Sequence, residues 1–184
     1  MADLKLLSRA WAAMAVLIIA VVLSGCISSK TPLISPQNAD YPFQRITFIA
    51  LGDKDKGKEA DRITLLRPGD VYVELNKEDA ERYLFKRVAD DLYIGQVSEM
   101  DDEGELQLLY GVVQIRGETE MNILSSMCDE VPEDVIKATG IVKTKGAHFD
   151  ECTVASLDQL KTLAGLLVDT DVERQAYRIV ELVK

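Results

Sequence analysis

Short apolar runs separated by polar turns occupy the chain between residues 43 and 115. Val71, Val73 and Leu75 alternate with more polar neighbours, which is the pattern of a half-buried strand. Gly111 lies inside the longest run and predicts a bulge or bend there. The other runs, rich in β-branched and aromatic side chains, predict strands at 46–51, 63–66, 83–88, 92–97 and 106–115. This part of the chain therefore predicts an antiparallel sheet of about five to seven strands.

The last third of the chain changes to a helical pattern. Pro132 and Gly140 bracket a short helix, since proline is favoured at a helix start and glycine just past its end. Ser156 and Gln159 form a capping box that starts a second helix. Residues 177–183 fit both a helical stripe and strand alternation, and we favour a terminal strand that completes the sheet. The predicted fold class is α+β, an antiparallel sheet with one or two C-terminal helices packed on it.

The N-terminal segment shows a third pattern. An apolar stretch follows the basic residues Lys5 and Arg9 and ends in Leu23-Ser24-Gly25-Cys26. This segment resembles the signal peptide and lipobox of bacterial lipoproteins, in which small residues precede a cysteine that is lipidated and becomes the mature N-terminus. The resemblance implies that residues 1–25 are removed, that Cys26 carries a lipid, and that the protein is exported and held on a membrane.

An uncleaved membrane-spanning helix is the alternative for this segment. The uncharged residues from Ala10 to Ser29 match the length of about 20 residues that such a helix requires. Both interpretations place the chain after Lys30 outside the cytoplasm. Bacterial lipoproteins with a non-acidic residue after the cysteine are commonly sent to the outer membrane, so Ile27 favours an outer-membrane location facing the periplasm. The alternative location is an inner-membrane anchor with a periplasmic or extracellular domain.

Composition divides the exported part into two regions and limits its partners. Residues 26–42 are rich in serine, threonine, proline and asparagine, which predicts a flexible tether, and residues 43–184 form a single domain. The chain carries 31 acidic against 21 basic residues. Such an acidic protein is a poor nucleic-acid binder and is repelled by anionic lipid headgroups. We therefore expect no nucleic-acid partner, and attachment to the membrane through the lipid on Cys26.

Two cysteines remain once Cys26 is assigned to the lipid. Cys128 and Cys152 form an even pair in an oxidising compartment, which predicts a disulfide bond. The alternative is a zinc site that also uses His148, four residues before Cys152. Paired ligand spacings are typical of zinc sites, and Cys128 stands alone, so we expect the disulfide and no metal.

Candidate catalytic residues are few. The single histidine, His148, would have to serve any serine or cysteine nucleophile. The stretch from Asp53 to Gly57 begins like a calcium loop, but the positions that follow do not match one. We therefore expect no cofactor and a non-catalytic binding or structural module with an envelope protein partner of unknown identity. The alternative is an envelope hydrolase or metal-dependent enzyme centred on His148.

Overall fold

The computed structural model describes residues 26–51, 62–77, 81–101, 103–146, 149–172 and 174–184. Their strands are β1 (Ile27–Ser28), β2 (Arg45–Ala50), β3 (Arg62–Leu66), β4 (Tyr72–Glu74), β5 (Arg82–Arg87), β6 (Leu92–Met100), β7 (Leu106–Arg116), β8 (Glu120–Ser125), β9 (Val142–Thr144), β10 (Glu151–Thr153) and β11 (Gln175–Val183). The helices are a 3-10 turn (Cys128–Glu130), α1 (Glu133–Thr139) and α2 (Leu157–Val168).

Eight of these strands close into an antiparallel barrel. Around the barrel the order is β2, β3, β4, β5, β6, β7, β8 and β11, and β11 pairs with both β8 and β2. Strands β1, β10 and β9 extend from the outer edge of β7 as a small flap. Closure pairs the edges that an open sheet would expose.

The prediction of an open α+β sheet covered by helices is therefore wrong. Period-2 alternation identifies which side chains share a face, but it does not show that the last strand returns to pair with the first. Here β11 pairs with β2 from more than 120 residues away in sequence, as in the register of Val183 with Arg45. The two α-helices are short: α2 packs next to β6 and β8, and α1 packs against α2.

Several local predictions are confirmed. Helix α1 begins after Pro132 and ends at Gly140, whose φ of 67° is the left-handed conformation that favours glycine. Helix α2 begins at Ser156, whose side chain accepts a hydrogen bond from the backbone N–H of Gln159. The C-terminal segment is a strand. The irregularity predicted near Gly111 is a register shift in the pairing of β7 with β8, between Val112 and Val113.

Two hydrophobic cores lie on opposite sides of the barrel wall. The inner core consists of the inward-facing side chains, among them Phe48, Phe85 and Val113. The outer core lies between the outer face of β6, β7 and β8 and the two helices, where Leu124 packs with Leu163. Strands β6 and β7 are apolar on both faces because each face contacts one of the two cores.

The segment 26–42, whose composition predicts a tether, packs along the outer core. Ile27 in β1 and Ile34 are almost fully buried. The backbone N–H of Ile34 donates a hydrogen bond of 2.9 Å to the buried side chain of Gln96, which also accepts one from the Tyr110 hydroxyl. These contacts correct the tether prediction, because the polar composition of the segment conceals two apolar residues that belong to the core.

The predicted disulfide bond is confirmed. Cys128 in the 3-10 turn and Cys152 in β10 are bonded, with their Cα atoms 5.2 Å apart, and both are fully buried in the outer core. The bond therefore ties the flap strands to the turn that follows β8. Within the described residues, no helix has the length and apolar character needed to cross a membrane.

Candidate ligand cavity

The barrel contains an apolar cavity of about 220 Å³ that is partly open to solvent. Inward-facing side chains from the barrel strands line it, including Phe48, Phe85, Val97, Val113 and Ile123. Barrels of eight strands have an interior that side chains just fill or that holds one small ligand. The side chains of this barrel leave part of its interior unfilled.

A pair of glycines helps to explain the unfilled volume. Gly95 of β6 and Gly111 of β7 are cross-strand partners, and both line the cavity. A Cβ atom added at Gly95 would lie 3.6 Å from a methyl group of Val113 and 3.7 Å from the ring of Phe85, in ordinary contact. Neighbouring inward positions carry large side chains, so the two glycines leave a gap in the inner core.

Aromatic rings close one end of the barrel, which we call the plugged end. Phe43 and Tyr72 lie with their ring centroids 4.6 Å apart, and Phe85 packs edge-on against Tyr72 at 5.4 Å. The Tyr72 hydroxyl donates a hydrogen bond of 2.6 Å to the carbonyl of Phe43, which fixes the segment that enters β2. Burial raises the pKa of Tyr72 to about 12, so this hydroxyl remains a donor throughout the physiological range.

The opposite end, which we call the open end, carries the β2–β3, β4–β5 and β6–β7 connections and the end of β8. The cavity-lining residues nearest this end, Val97, Leu109 and Ile123, are only partly buried. By contrast, Phe43 and Tyr72 at the plugged end are at most 2% exposed. An apolar ligand would therefore enter through the open end.

Acidic side chains surround the open end. The Tyr83 hydroxyl, on a ring that lines the cavity, donates a hydrogen bond to Glu81, and the ammonium of Lys77 pairs with Glu81 and with Glu74 at 3.8 Å. Glu99 lies on the inward face of β6, two residues beyond Val97. Burial and the nearby negative charge of Glu81 raise the pKa of Glu99.

Cys26, the predicted lipidation site, lies in the wall of this cavity. It is partly buried beside Ser126 and Gly111, and its sulfur is 3.9 Å from the sulfur of Met127. Burial raises the pKa of its thiol, as do the negative charges of Glu99 and Glu130. The next residue, Ile27, is buried in β1, so no free length of chain separates Cys26 from the barrel.

The other residues predicted to carry chemistry are the cysteine pair, His148 and the stretch 53–57. Cys128 and Cys152 are bonded to each other, so neither thiolate is available to a metal. His148 and the calcium-like stretch 53–57 lie outside the described residues. Among the residues that the structure describes, no group of three or more histidine, cysteine or acidic side chains could hold a metal ion.

Sequence reasoning missed the cavity because its lining comes from strands that are distant along the chain. The sequence placed Phe85 and Val97 in predicted strands, but it did not indicate the space between them. The available signal was the glycine at the centre of two otherwise apolar strands, Gly95 and Gly111, because glycine inside a strand often marks a bulge or a close approach.

Comparisons with known proteins were made at three levels. No protein-family model, no curated protein and no solved structure matches this chain. Function is therefore inferred from the residues and geometry of the chain itself.

Proposed function

We propose that this chain is a membrane-anchored lipoprotein of the cell envelope whose barrel binds an apolar ligand without catalysing a reaction on it. The observation that carries the proposal is the apolar cavity inside the barrel. Binding of an apolar molecule in a cavity lined by hydrocarbon and aromatic side chains is favourable, because the molecule leaves water and contacts apolar groups.

The size of the cavity supports a ligand rather than a packing defect. An engineered apolar cavity of about 150 Å³ is large enough to bind benzene. The cavity here has about 220 Å³. A ligand that binds the folded state and not the unfolded chain would stabilise the fold measurably.

The position of Cys26 supports a site that works at the membrane surface. A lipid on Cys26 would hold the cavity close to the bilayer, because β1 leaves no tether between that residue and the barrel. The open end also carries exposed apolar side chains. Leu75, just after β4, is 48% exposed, and Met100 and Leu106, at the ends of β6 and β7, are 65% and 55% exposed. Apolar residues in this position favour contact with a lipid interface.

The ligand-binding half of the proposal is tested with an uncharged fluorescent probe, N-phenyl-1-naphthylamine. We expect the mature chain to bind it with increased probe fluorescence, and Gly95→Leu to abolish most of the increase because the new side chain fills the cavity. Gly165→Leu is the matched control, since Gly165 lies exposed on α2 with open space around it. Equal binding by both variants would remove the cavity as the site, provided that both unfold cooperatively.

The anchor half is tested by metabolic labelling with a fatty acid. Wild-type protein should incorporate the label, and Cys26→Ala should lose it and accumulate as an uncleaved precursor, because lipid attachment precedes cleavage in this class of protein. Label that persists in the variant, or that is absent from the wild type, would exclude the lipoprotein assignment.

A further inference from the structure

The charges at the open end bear on the chemical class of the ligand. The cavity interior is almost entirely apolar, and the aromatic rings of Phe43, Tyr72 and Phe85 close the plugged end. Burying a charged or strongly polar head group inside would cost several kcal/mol. An amphiphile would therefore place its hydrocarbon chain in the cavity and its head group at the open end.

The groups that meet such a head group are mainly acidic. Glu74, Glu81 and Glu99 lie at this end, and Lys77 is paired with Glu74 and Glu81. The other basic residues there, Arg62 and Arg82, are the exposed first residues of β3 and β5. Asp101, Glu103 and Glu105, between β6 and β7 at the same end, are also acidic. The local charge at the open end is negative.

This negative charge acts on the cavity itself. Glu99 lies on the inward face of β6, two residues beyond the cavity-lining Val97, and its charge adds to the burial that raises the pKa of the Cys26 thiol and the Tyr83 hydroxyl. A carboxylate that influences both residues would also repel an anionic head group placed between them.

We propose that the cavity takes the hydrocarbon chain of a single-chain amphiphile whose head group carries no negative charge, and that Glu81 and Glu99 discriminate against anionic amphiphiles. This inference rests on the proposed function, because it requires that the cavity bind a ligand. It adds the chemical class of that ligand and the residues that select it.

The test compares three ligands of equal chain length, 1-decanol, decylamine and decanoate, at pH 8 and low salt. Decanol is kept below its solubility limit, and the two charged ligands below their micelle concentrations. Each is titrated against the mature chain loaded with N-phenyl-1-naphthylamine, and displacement of the probe gives its affinity. We expect decanol and decylamine to displace the probe and decanoate to bind about tenfold more weakly, the size of effect expected from one like charge at moderate distance.

Two variants test whether Glu99 causes the weaker binding of decanoate. Glu99→Gln should reduce the disadvantage of decanoate severalfold, whereas Glu118→Gln should leave it unchanged, because Glu118 is exposed in the β7–β8 turn at the plugged end and pairs with Lys184. Equal affinity of wild-type protein for decanoate and decanol would overturn the inference while leaving ligand binding intact, and so would a preference unaffected by Glu99→Gln. Failure of the probe and of all three ligands to bind would instead contradict the proposed function.

Discussion

At the scale of single residues, Tyr72 is the side chain on which closure of the plugged end depends most. Its ring is fully buried between Phe43 and Phe85, and its hydroxyl satisfies a backbone carbonyl that would otherwise lack a partner beneath the rings. A buried carbonyl without a hydrogen bond costs about 1–3 kcal/mol. The Tyr72 hydroxyl is therefore a structural group rather than a candidate for chemistry.

Tyr72→Phe should lower the free energy of unfolding by about 1–3 kcal/mol at neutral pH, because it removes this donor. It should also change the response to alkali. An unfolded tyrosine ionises near pH 10 and the native Tyr72 near pH 12, so wild-type stability falls between these values as only the unfolded state loses the proton. Urea unfolding at pH 7, 10 and 11.5 measures both effects, and an identical alkaline decline in wild type and variant would contradict this assignment.

Gly95 and Gly111 also matter at the scale of single residues, because neither carries a side chain. They face each other across β6 and β7, and their missing side chains contribute to the space in the inner core. A Cβ atom at Gly95 would meet its neighbours at ordinary contact distances, and the backbone there is not left-handed, so a larger side chain changes the cavity more than the strand. This is why Gly95 is the position chosen to block the cavity.

At the scale of elements, packing in the outer core stabilises segments that have little regular structure. The flap strands β1, β9 and β10 are two or three residues long, and short strands of this kind are marginal by themselves. Their stability comes from the buried disulfide between Cys128 and Cys152 and from the packing of Ile27 and Ile34. Because β1 follows Cys26 directly, this packing also fixes where a lipid on Cys26 would emerge.

Removing the disulfide should destabilise the protein without opening the barrel. For two cysteines separated by 24 residues, the chain-entropy model gives about 3.5 kcal/mol. We expect the double variant Cys128→Ala with Cys152→Ala to melt at a lower temperature and to retain its β-sheet circular dichroism. Finding two reactive thiols in the denatured, unreduced wild-type protein would contradict the bond itself, and an unchanged melting temperature would contradict its contribution.

At the scale of the whole molecule, the barrel separates a packed outer core from an unfilled inner one. Local sequence patterns predicted most of the strands and both helices, because each depends on neighbouring residues. The cysteine pair was predicted because two cysteines remain once Cys26 is assigned to the lipid. They did not predict closure, since the pairing of β11 with β2 joins opposite ends of the domain. They also did not predict the cavity, whose volume depends on how residues such as Phe48 and Ile123 meet across the barrel.

The predicted tether failed for a related reason. Serine and proline are frequent in the segment, but Ile34 packs into the outer core. The backbone N–H of Ile34 donates a hydrogen bond to Gln96, a residue more than sixty positions away. A segment of polar composition can therefore be ordered by two or three long-range contacts. For this protein the consequence is functional, because the predicted lipid site and the cavity become neighbours.

The central claim is that the barrel interior is a binding site for an apolar ligand, and methyl-labelled NMR during a titration with 1-decanol tests it most directly. We expect saturable shifts in the methyl signals of Val97, Leu109 and Val113, which line the cavity, and unchanged signals from Leu124, Leu160 and Leu163 in the outer core. Shifts confined to the outer core, or no shift at ligand saturation, would contradict the claim.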